Sequence, residues 1–229
     1  MNHPLILAIT GASGSVYATR LLETLIATGN HVHLTISPAG QAVLKQELDI
    51  DVDLDNFLES SLLPNPQNRS PDSKLSQADS LDTTSHGTDA IPPQATHEPG
   101  QIVYHHYRNM MAPIASGSFF TRGMVICPCS GATLSAVARG ASDNLVHRAA
   151  EVHLKEQRKL VLVPRETPLS LIQLENMRRT VEAGAVLLPA MPGWYHGVKT
   201  LNDLVDFVVA RILDQLNIEH SLIRRWGET

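Results

Sequence analysis

The sequence predicts an α/β protein: a Rossmann-like three-layer fold with a parallel sheet of about six strands and helices on both faces. Three observations predict it. Six short apolar runs recur along the 229 residues, with helix-length amphipathic stretches between them. The runs are near-continuously apolar, as strands covered on both faces are. The first of them ends in four small residues ahead of a helical pattern, the strand-to-helix turn of phosphate-binding folds.

The first strand, over 5–10, reads Leu5-Ile6-Leu7-Ala8-Ile9-Thr10, and Gly11-Ala12-Ser13-Gly14 leads from it into a helix over 16–28. A second strand over 31–37 ends at Ser37 and precedes a helix over 41–48. Further strands are predicted over 102–107, 124–128, 160–163 and 185–189, with helices over 132–138, 147–157, 171–183 and 201–216. The last helix is the most regular, since Leu201, Leu204, Val205, Val208, Val209, Ile212 and Leu216 fall on one face. Ser170 and Gln173 are spaced as a capping box before the helix over 171–183. The segment at about 60–100 interrupts this order. It holds six of the fourteen prolines and no aromatic residue, which predicts a disordered or loosely held insertion.

Composition narrows the function. A net charge of −5, from 18 basic and 23 acidic residues, gives no footprint for nucleic acid. No run approaches the ~20 apolar residues of a membrane span. The chain opens directly into a strand without a leader pattern, and a cytoplasmic protein is expected. Cys127 and Cys129 are too close for an ordinary disulfide, which fits a reducing compartment.

Ligands of parallel sheets bind beyond the carboxyl ends of the strands, so the residues after each strand are the candidates. The turn at Gly11-Ala12-Ser13-Gly14 offers backbone N–H groups, a helix N-terminus and the Ser13 hydroxyl to an anion; a tight turn without a ligand would look the same. A dinucleotide fits poorly. The third glycine is missing, and Ser37 stands where an acidic residue would hold the ribose. A second strand-to-helix turn carries the hydroxyls of Ser130 and Thr133. Arg165 and Glu166 follow an apolar strand, a cation beside a carboxylate, readable as a phosphate clamp with a proton handler or as a surface ion pair. Arg211 lies among apolar neighbours, where a charge needs a partner. The acids Asp49, Asp51, Asp53 and Asp55 alternate as if on one face of a strand, without the glycine and distal glutamate of a calcium loop. No metal site is expected there or at the cysteines, and His105 and His106, adjacent in a strand, receive no role.

Several segments together resemble the UbiX family of flavin prenyltransferases: Cys127-Pro128-Cys129-Ser130-Gly131-Ala132-Thr133 with its continuation to Leu145, the run from Met111 to Ser118, Val163-Pro164-Arg165-Glu166, Leu174-Glu175-Asn176-Met177, Pro192-Gly193-Trp194-Tyr195-His196, and Arg225-Trp226-Gly227-Glu228. The resemblance spans 4–59 and 101–229 and lapses over the proline-rich insertion. It implies a single flavoprotein domain over 1–229, FMN as bound substrate and dimethylallyl phosphate as donor. The implied product is prenylated FMN, joined at N5 and C6 of the reduced flavin, for a UbiD-type decarboxylase. The flavin positions of the family match Gly11, Ala12, Ser13, Ser37, Ser130, Gly131, Ala132, Thr133 and Arg148. Tyr195 and Arg211 match its prenyl-phosphate positions, joined by Ser116, Lys155 and Arg165. Glu47 and Glu166 match acidic residues at its reaction site, with Lys155 beside them. A homo-oligomer, a dodecamer, is also implied, and a monophosphate leaving group held by lysine and arginine implies no metal.

Three other readings share parts of this pattern. A cysteine-type flavin decarboxylase carries an asparagine where this chain has Ala132. A direct aromatic-acid decarboxylase would need a second catalytic motif. A non-catalytic flavin carrier would leave the arginine, lysine and tyrosine set unexplained.

Overall fold

The structure is a computed structural model that describes residues 3–63, 98–195, 197–225 and 227. The expected insertion lies outside the described residues except at its two ends. Six strands form one parallel sheet: β1 (Leu5–Ile9), β2 (Val32–Ile36), β3 (Ile102–Tyr104), β4 (Gly123–Cys129), β5 (Leu160–Pro164) and β6 (Val186–Leu187). Their order across the sheet is β3-β2-β1-β4-β5-β6. All neighbours run parallel, with Leu5 opposite Val32 on one side of β1 and opposite Gly123 on the other.

The seven described helices are α1 (Ser15–Ala27), α2 (Pro38–Leu48), α3 (Glu59–Leu62), α4 (Gly131–Ala138), α5 (Leu145–Lys155), α6 (Leu171–Glu182) and α7 (Leu201–Gln215). They divide between the two faces as the strand pleat dictates. Leu5, Leu7 and Ile9 point to one face and pack with Leu21 and Leu25 of α1, Leu44 of α2 and Val208, Val209 and Ile212 of α7. Ile6 and Ala8 point to the other, against Leu134 of α4, Val146, Ala149 and Ala150 of α5 and Met177 of α6. Burial of these side chains, at roughly 1.5–3 kcal/mol for each leucine, isoleucine, valine or methionine, holds the three layers together. Among the described residues no helix is long and apolar enough to cross a membrane.

Several helices start earlier than their apolar periodicity suggests, because polar residues ahead of them cap the first turn. Ser37, Ser130 and Asn144 accept the amides of Gly40, Thr133 and His147, so α2, α4 and α5 begin directly after each cap. The Ser170–Gln173 capping box is present, and α7 has another, formed by Thr200 and Asp203. The two edge strands are shorter than their apolar runs. β3 pairs with β2 only from Ile102 to Tyr104, and β6 has two residues.

The acidic run corrects an expectation. Residues 49–58 form no strand, although Ile50, Val52 and Leu54 are buried and Asp51, Asp53 and Asp55 exposed. Asp53 instead closes its own turn, accepting the amides of Asp55 and Asn56 at 2.9 and 3.1 Å. α3 also went unforeseen. Its Leu62 is buried in the core, so the segment before residue 63 belongs to the packed fold.

Candidate active site

The strand order reverses direction between β1 and β4, the switch point at which open α/β sheets bind ligands, and the chain leaves these two strands toward opposite faces. Thr10, the residue after β1, ties the two exits together. Its hydroxyl donates to the Pro128 carbonyl at 2.7 Å and accepts the Ser130 amide at 2.9 Å. The β1–α1 and β4–α4 turns therefore stand side by side.

The β1–α1 turn is not an open phosphate cradle. Gly14 precedes α1 at φ +111°, a conformation that favours glycine, and has no side chain to cap the helix. Glu47 of α2 caps it instead: its carboxylate accepts the Gly14 amide at 3.0 Å and the Ser15 amide at 2.8 Å. Burial pushes this carboxyl up, but the Ser13 hydroxyl and the amides of Ser15 and Gly14 outweigh it and hold Glu47 below the usual carboxylate range. Gly11 has a packing reason to be small, since a Cβ there would lie 2.4 Å from Ala39 Cβ. The expectation that these amides face a bound phosphate thus meets a carboxylate of the same chain. Arg165, just past β5, reaches the turn as well, donating from Nε to the Ser13 carbonyl at 3.1 Å. Glu166 beside it is exposed.

The β4–α4 turn caps itself. Ser130 Oγ accepts the Thr133 amide at 3.2 Å and donates to Thr133 Oγ1 at 3.0 Å. That cap spends only the Thr133 amide, leaving the first-turn amides of Gly131 and Ala132 at the positive end of α4. Space remains there: the nearest atom to a Cβ built on Gly131 is Gln173 Nε2 at 3.5 Å. A flavin phosphate or ring edge fits such a donor set, and Ser37, capping α2 after β2, lies on the adjacent exit.

The remaining predicted residues form two groups on opposite faces of the sheet. On the α5 face, Arg148 Nε donates to the Ala115 carbonyl at 3.0 Å and Nη1 pairs with Glu151 at 2.8 Å. Lys155 ends α5 and pairs with Glu156, next to the turn carrying Ser116, whose hydroxyl lies 2.9 Å from that of Ser118. Lys155 precedes the start of β5 by only a few residues, which puts it at the amino end of the sheet, away from the switch point. On the α7 face, Tyr195 stacks edge-on against Phe207, ring centroids 5.7 Å apart at 88°. Arg211, one turn further along α7, lines a cavity of about 250 Å³ together with Val186, Leu188, Met191, Phe207 and Gln215.

One chain therefore gathers Gly11, Ala12, Ser13, Glu47 and Arg165, with Ser130, Gly131, Ala132 and Thr133 alongside. It does not gather Lys155 with Tyr195 and Arg211, because α5 and α7 cover opposite faces; Arg165 is bound to the first turn. Sequence reasoning passed over Thr10, whose only signal is a hydroxyl closing an apolar strand. It also passed over His105, which faces inward and meets His33 at 2.8 Å, ring nitrogen to ring nitrogen. Cys127 and Cys129 are buried, and burial pushes the Cys129 thiol up to about 12. Among the described residues no group of three or more His, Cys, Asp or Glu side chains is placed to hold a metal ion.

Residues 1–213 match the Flavoprotein family. The chain is 46% identical over 222 residues to a flavin prenyltransferase UbiX of Pseudomonas aeruginosa, covering 97% of this chain and 93% of that protein. Its fold matches the crystal structure of AnUbiX (PadA1) in complex with FMN and dimethylallyl pyrophosphate, with a TM-score of 0.76, 31% identity and full coverage of both chains. It also matches a dodecameric FMN-dependent UbiX-like decarboxylase from Escherichia coli O157:H7, with a TM-score of 0.72 and 35% identity over 98% of this chain and all of that one. An identity of 46% across nearly the whole length, with the family match over residues 1–213, leads to one conclusion: the chain belongs to the UbiX family of flavin prenyltransferases.

Proposed function

We propose that the chain transfers a dimethylallyl unit from dimethylallyl phosphate to N5 and C6 of reduced FMN, making prenylated FMN for a UbiD-type decarboxylase. The observation that carries this reading for the chain itself is the pairing of two unlike sites. One is a donor-rich pair of turns at the switch point; the other is a small cavity whose lining includes Arg211 and Gln215. The first suits a flavin nucleotide. The second, with Arg211 in its wall, suits the phosphate end of a small ligand.

Reduced FMN supplies the two ring positions that take the prenyl unit. Ser130, Gly131, Ala132 and Thr133 hold the flavin at the positive end of α4, with Ser37 adding a hydroxyl from the neighbouring exit and Ser13 doing so where the flavin draws its hydroxyl from Glu47. Arg148 serves the flavin of an adjoining copy, because within its own chain it faces away on α5. Arg211 and Tyr195 hold the donor phosphate, so the allylic carbon–oxygen bond breaks toward a guanidinium that offsets the charge left on the leaving group. Lys155, Ser116 and Arg165 complete this set once copies assemble, which favours a homo-oligomer, a dodecamer by likeness to the relative reported as one. Glu166, exposed and beside Arg165, takes the proton that must leave C6 when the second bond forms, matched by the proton that the CH carbon of the prenyl double bond takes up as its other carbon joins C6. Glu47 stays ionised and fixes the β1–α1 turn. The cytoplasm is the expected location, where Cys127 and Cys129 stay as thiols.

The test is anaerobic incubation of the protein with reduced FMN and dimethylallyl phosphate, followed by mass spectrometry of the small molecules. A flavin heavier by one prenyl unit is the expected result. Unchanged flavin on a folded, flavin-loaded protein would overturn the proposal.

A further inference from the structure

The cavity on the α7 face has a charged anchor beside it. Asp214 follows Arg211 by one helical turn, with only 15% of its side chain exposed. Three cationic or polar nitrogens converge on its carboxylate. Arg211 Nη1 donates to Oδ2 at 2.7 Å, Arg225 Nη2 donates to Oδ1 at 2.9 Å, and His220 Nε2 lies 3.1 Å from Oδ1. Arg225 belongs to the segment beyond α7, which folds back onto the helix. The Ile218 amide donates to the Leu213 carbonyl at 3.0 Å, Ile218 is buried and Leu222 packs on the same core cluster. The His220 side chain is 1% exposed. Apolar anchors and one carboxylate thus fasten a stretch that would otherwise fray.

The consequence lies in where the two guanidinium groups end up. Each binds one oxygen of the same carboxylate, so the bonded nitrogens lie within about 8 Å of each other, two hydrogen bonds plus the width of a carboxylate. Both side chains are about half exposed, 47% for Arg211 and 48% for Arg225. Like charges so close repel, and Asp214 between them offsets that repulsion while fixing both orientations. Burial pushes the Asp214 carboxyl up, yet Arg225 and His220 hold it below the usual carboxylate range, so the anchor remains charged at neutral pH. Arg211 lines the cavity and Arg225 is held close to it on the same carboxylate, so two half-exposed guanidinium forks stand near one another as a recognition surface for a phosphate dianion.

We propose that Arg225 is a second phosphate-binding residue of the donor site, set beside Arg211 by Asp214 and the folded-back segment. This inference rests on the reading of Arg211 as a residue that binds the donor phosphate.

The experiment is calorimetric titration of FMN-loaded protein, at fixed ionic strength, with dimethylallyl phosphate and separately with inorganic phosphate. The proteins are the unmodified chain, Arg225→Gln and Arg211→Ala. A charge-assisted hydrogen bond at a half-exposed group stands at the low end of its range, so Arg225→Gln should weaken both ligands about tenfold. FMN affinity should stay unchanged, and Tm should fall by no more than the loss of one half-exposed ion pair allows. If Arg225→Gln binds dimethylallyl phosphate within twofold of the unmodified chain while Arg211→Ala loses it, the inference is overturned and the donor site stands. If Arg211→Ala also binds within twofold, the donor-site reading fails and takes the inference with it. Should Arg225→Gln not fold, arginine-selective labelling of the unmodified chain with phenylglyoxal decides. Saturating dimethylallyl phosphate should protect Arg225 along with Arg211, and protection of Arg211 alone would overturn the inference.

Discussion

The two turns that flank the switch point solve the same problem differently. Both carry a strand into a helix, and both leave N–H groups at a helix N-terminus that need acceptors. At α4 the acceptor is local, since Ser130 caps its own helix three residues on. At α1 the acceptor comes from another helix, because Gly14 has no side chain and the Glu47 carboxylate fills the gap from 33 residues away. The local cap spends one amide and leaves two for a ligand. The remote cap spends Gly14 and Ser15 and brings a negative charge with it. Two turns of similar composition therefore differ in what they can bind, and the difference is set by Glu47.

The largest effect expected from this contrast concerns the two glutamates. Glu47 is engaged as a hydrogen-bond acceptor and stays ionised, whereas Glu166 is exposed beside Arg165. Glu166→Gln keeps size and reach but cannot exchange a proton, so turnover should fall by ~10²–10⁴-fold with FMN affinity unchanged. Glu47→Gln should keep turnover within about tenfold, below the span of a general acid–base contribution. Single-turnover rates under anaerobic conditions read both. If the magnitudes are exchanged, the remote cap is also the proton handler and the contrast breaks.

A smaller effect separates the turns by ligand affinity. Removing the Ser130 hydroxyl loses a cap and a flavin donor together, and Thr133 loses its partner. Ser130→Ala should weaken FMN about tenfold, the cost of a donor lost from a charged ligand. Ser13→Ala should weaken it less than about threefold, the scale of a neutral hydrogen bond, because the amides next to Ser13 already serve Glu47. Fluorescence titration of the apoprotein with FMN measures both. Equal losses would mean that the flavin displaces Glu47 from the α1 terminus.

How much of this was legible in the sequence depends on the range of the interaction. Strands and helices were readable from apolar periodicity, and the Ser170–Gln173 capping box from a three-residue spacing, because those signals are local. The β4–α4 turn with its Ser130 and Thr133 hydroxyls was readable for the same reason, though the capping of α4 by Ser130 was not. The Glu47 cap was not, since no local spacing links residue 47 to residues 14 and 15. Nor was the return of Arg225 to Asp214, or the meeting of His33 with His105 across β2 and the chain beyond β3. Residue types at the site came through the family likeness. Their division between two faces of the sheet required the strand order, which periodicity alone leaves open.

The smallest effect tests the remote cap through pH. A carboxylate held below its unfolded value contributes stability that is present above the unfolded pKa and is lost as pH falls through the folded pKa. Glu47 is such a group, while the Ser130 cap carries no charge and is indifferent to pH. Acid will also destabilise the fold for another reason. Burial lowers His33 and His153 to about 4, so the unfolded chain binds protons that the native state refuses as pH falls from about 6.5 toward 4. That loss is common to the unmodified chain and to Glu47→Gln, so the difference between the two isolates the cap. A partly exposed carboxylate at a helix N-terminus is worth about 0.5–1 kcal/mol after solvent screening. For a domain of this size that is a Tm lower by about 1–4 °C in Glu47→Gln at pH 7. The gap should persist down to the ordinary carboxylate range and close below it, once the Glu47 carboxyl of the unmodified chain is itself protonated. Calorimetric melting of both proteins between pH 7 and pH 3 reads the gap directly. A gap that widens as pH falls would mean that Glu47 is stabilised by its proton and not by its charge, and the distinction between the two turns would have to be redrawn.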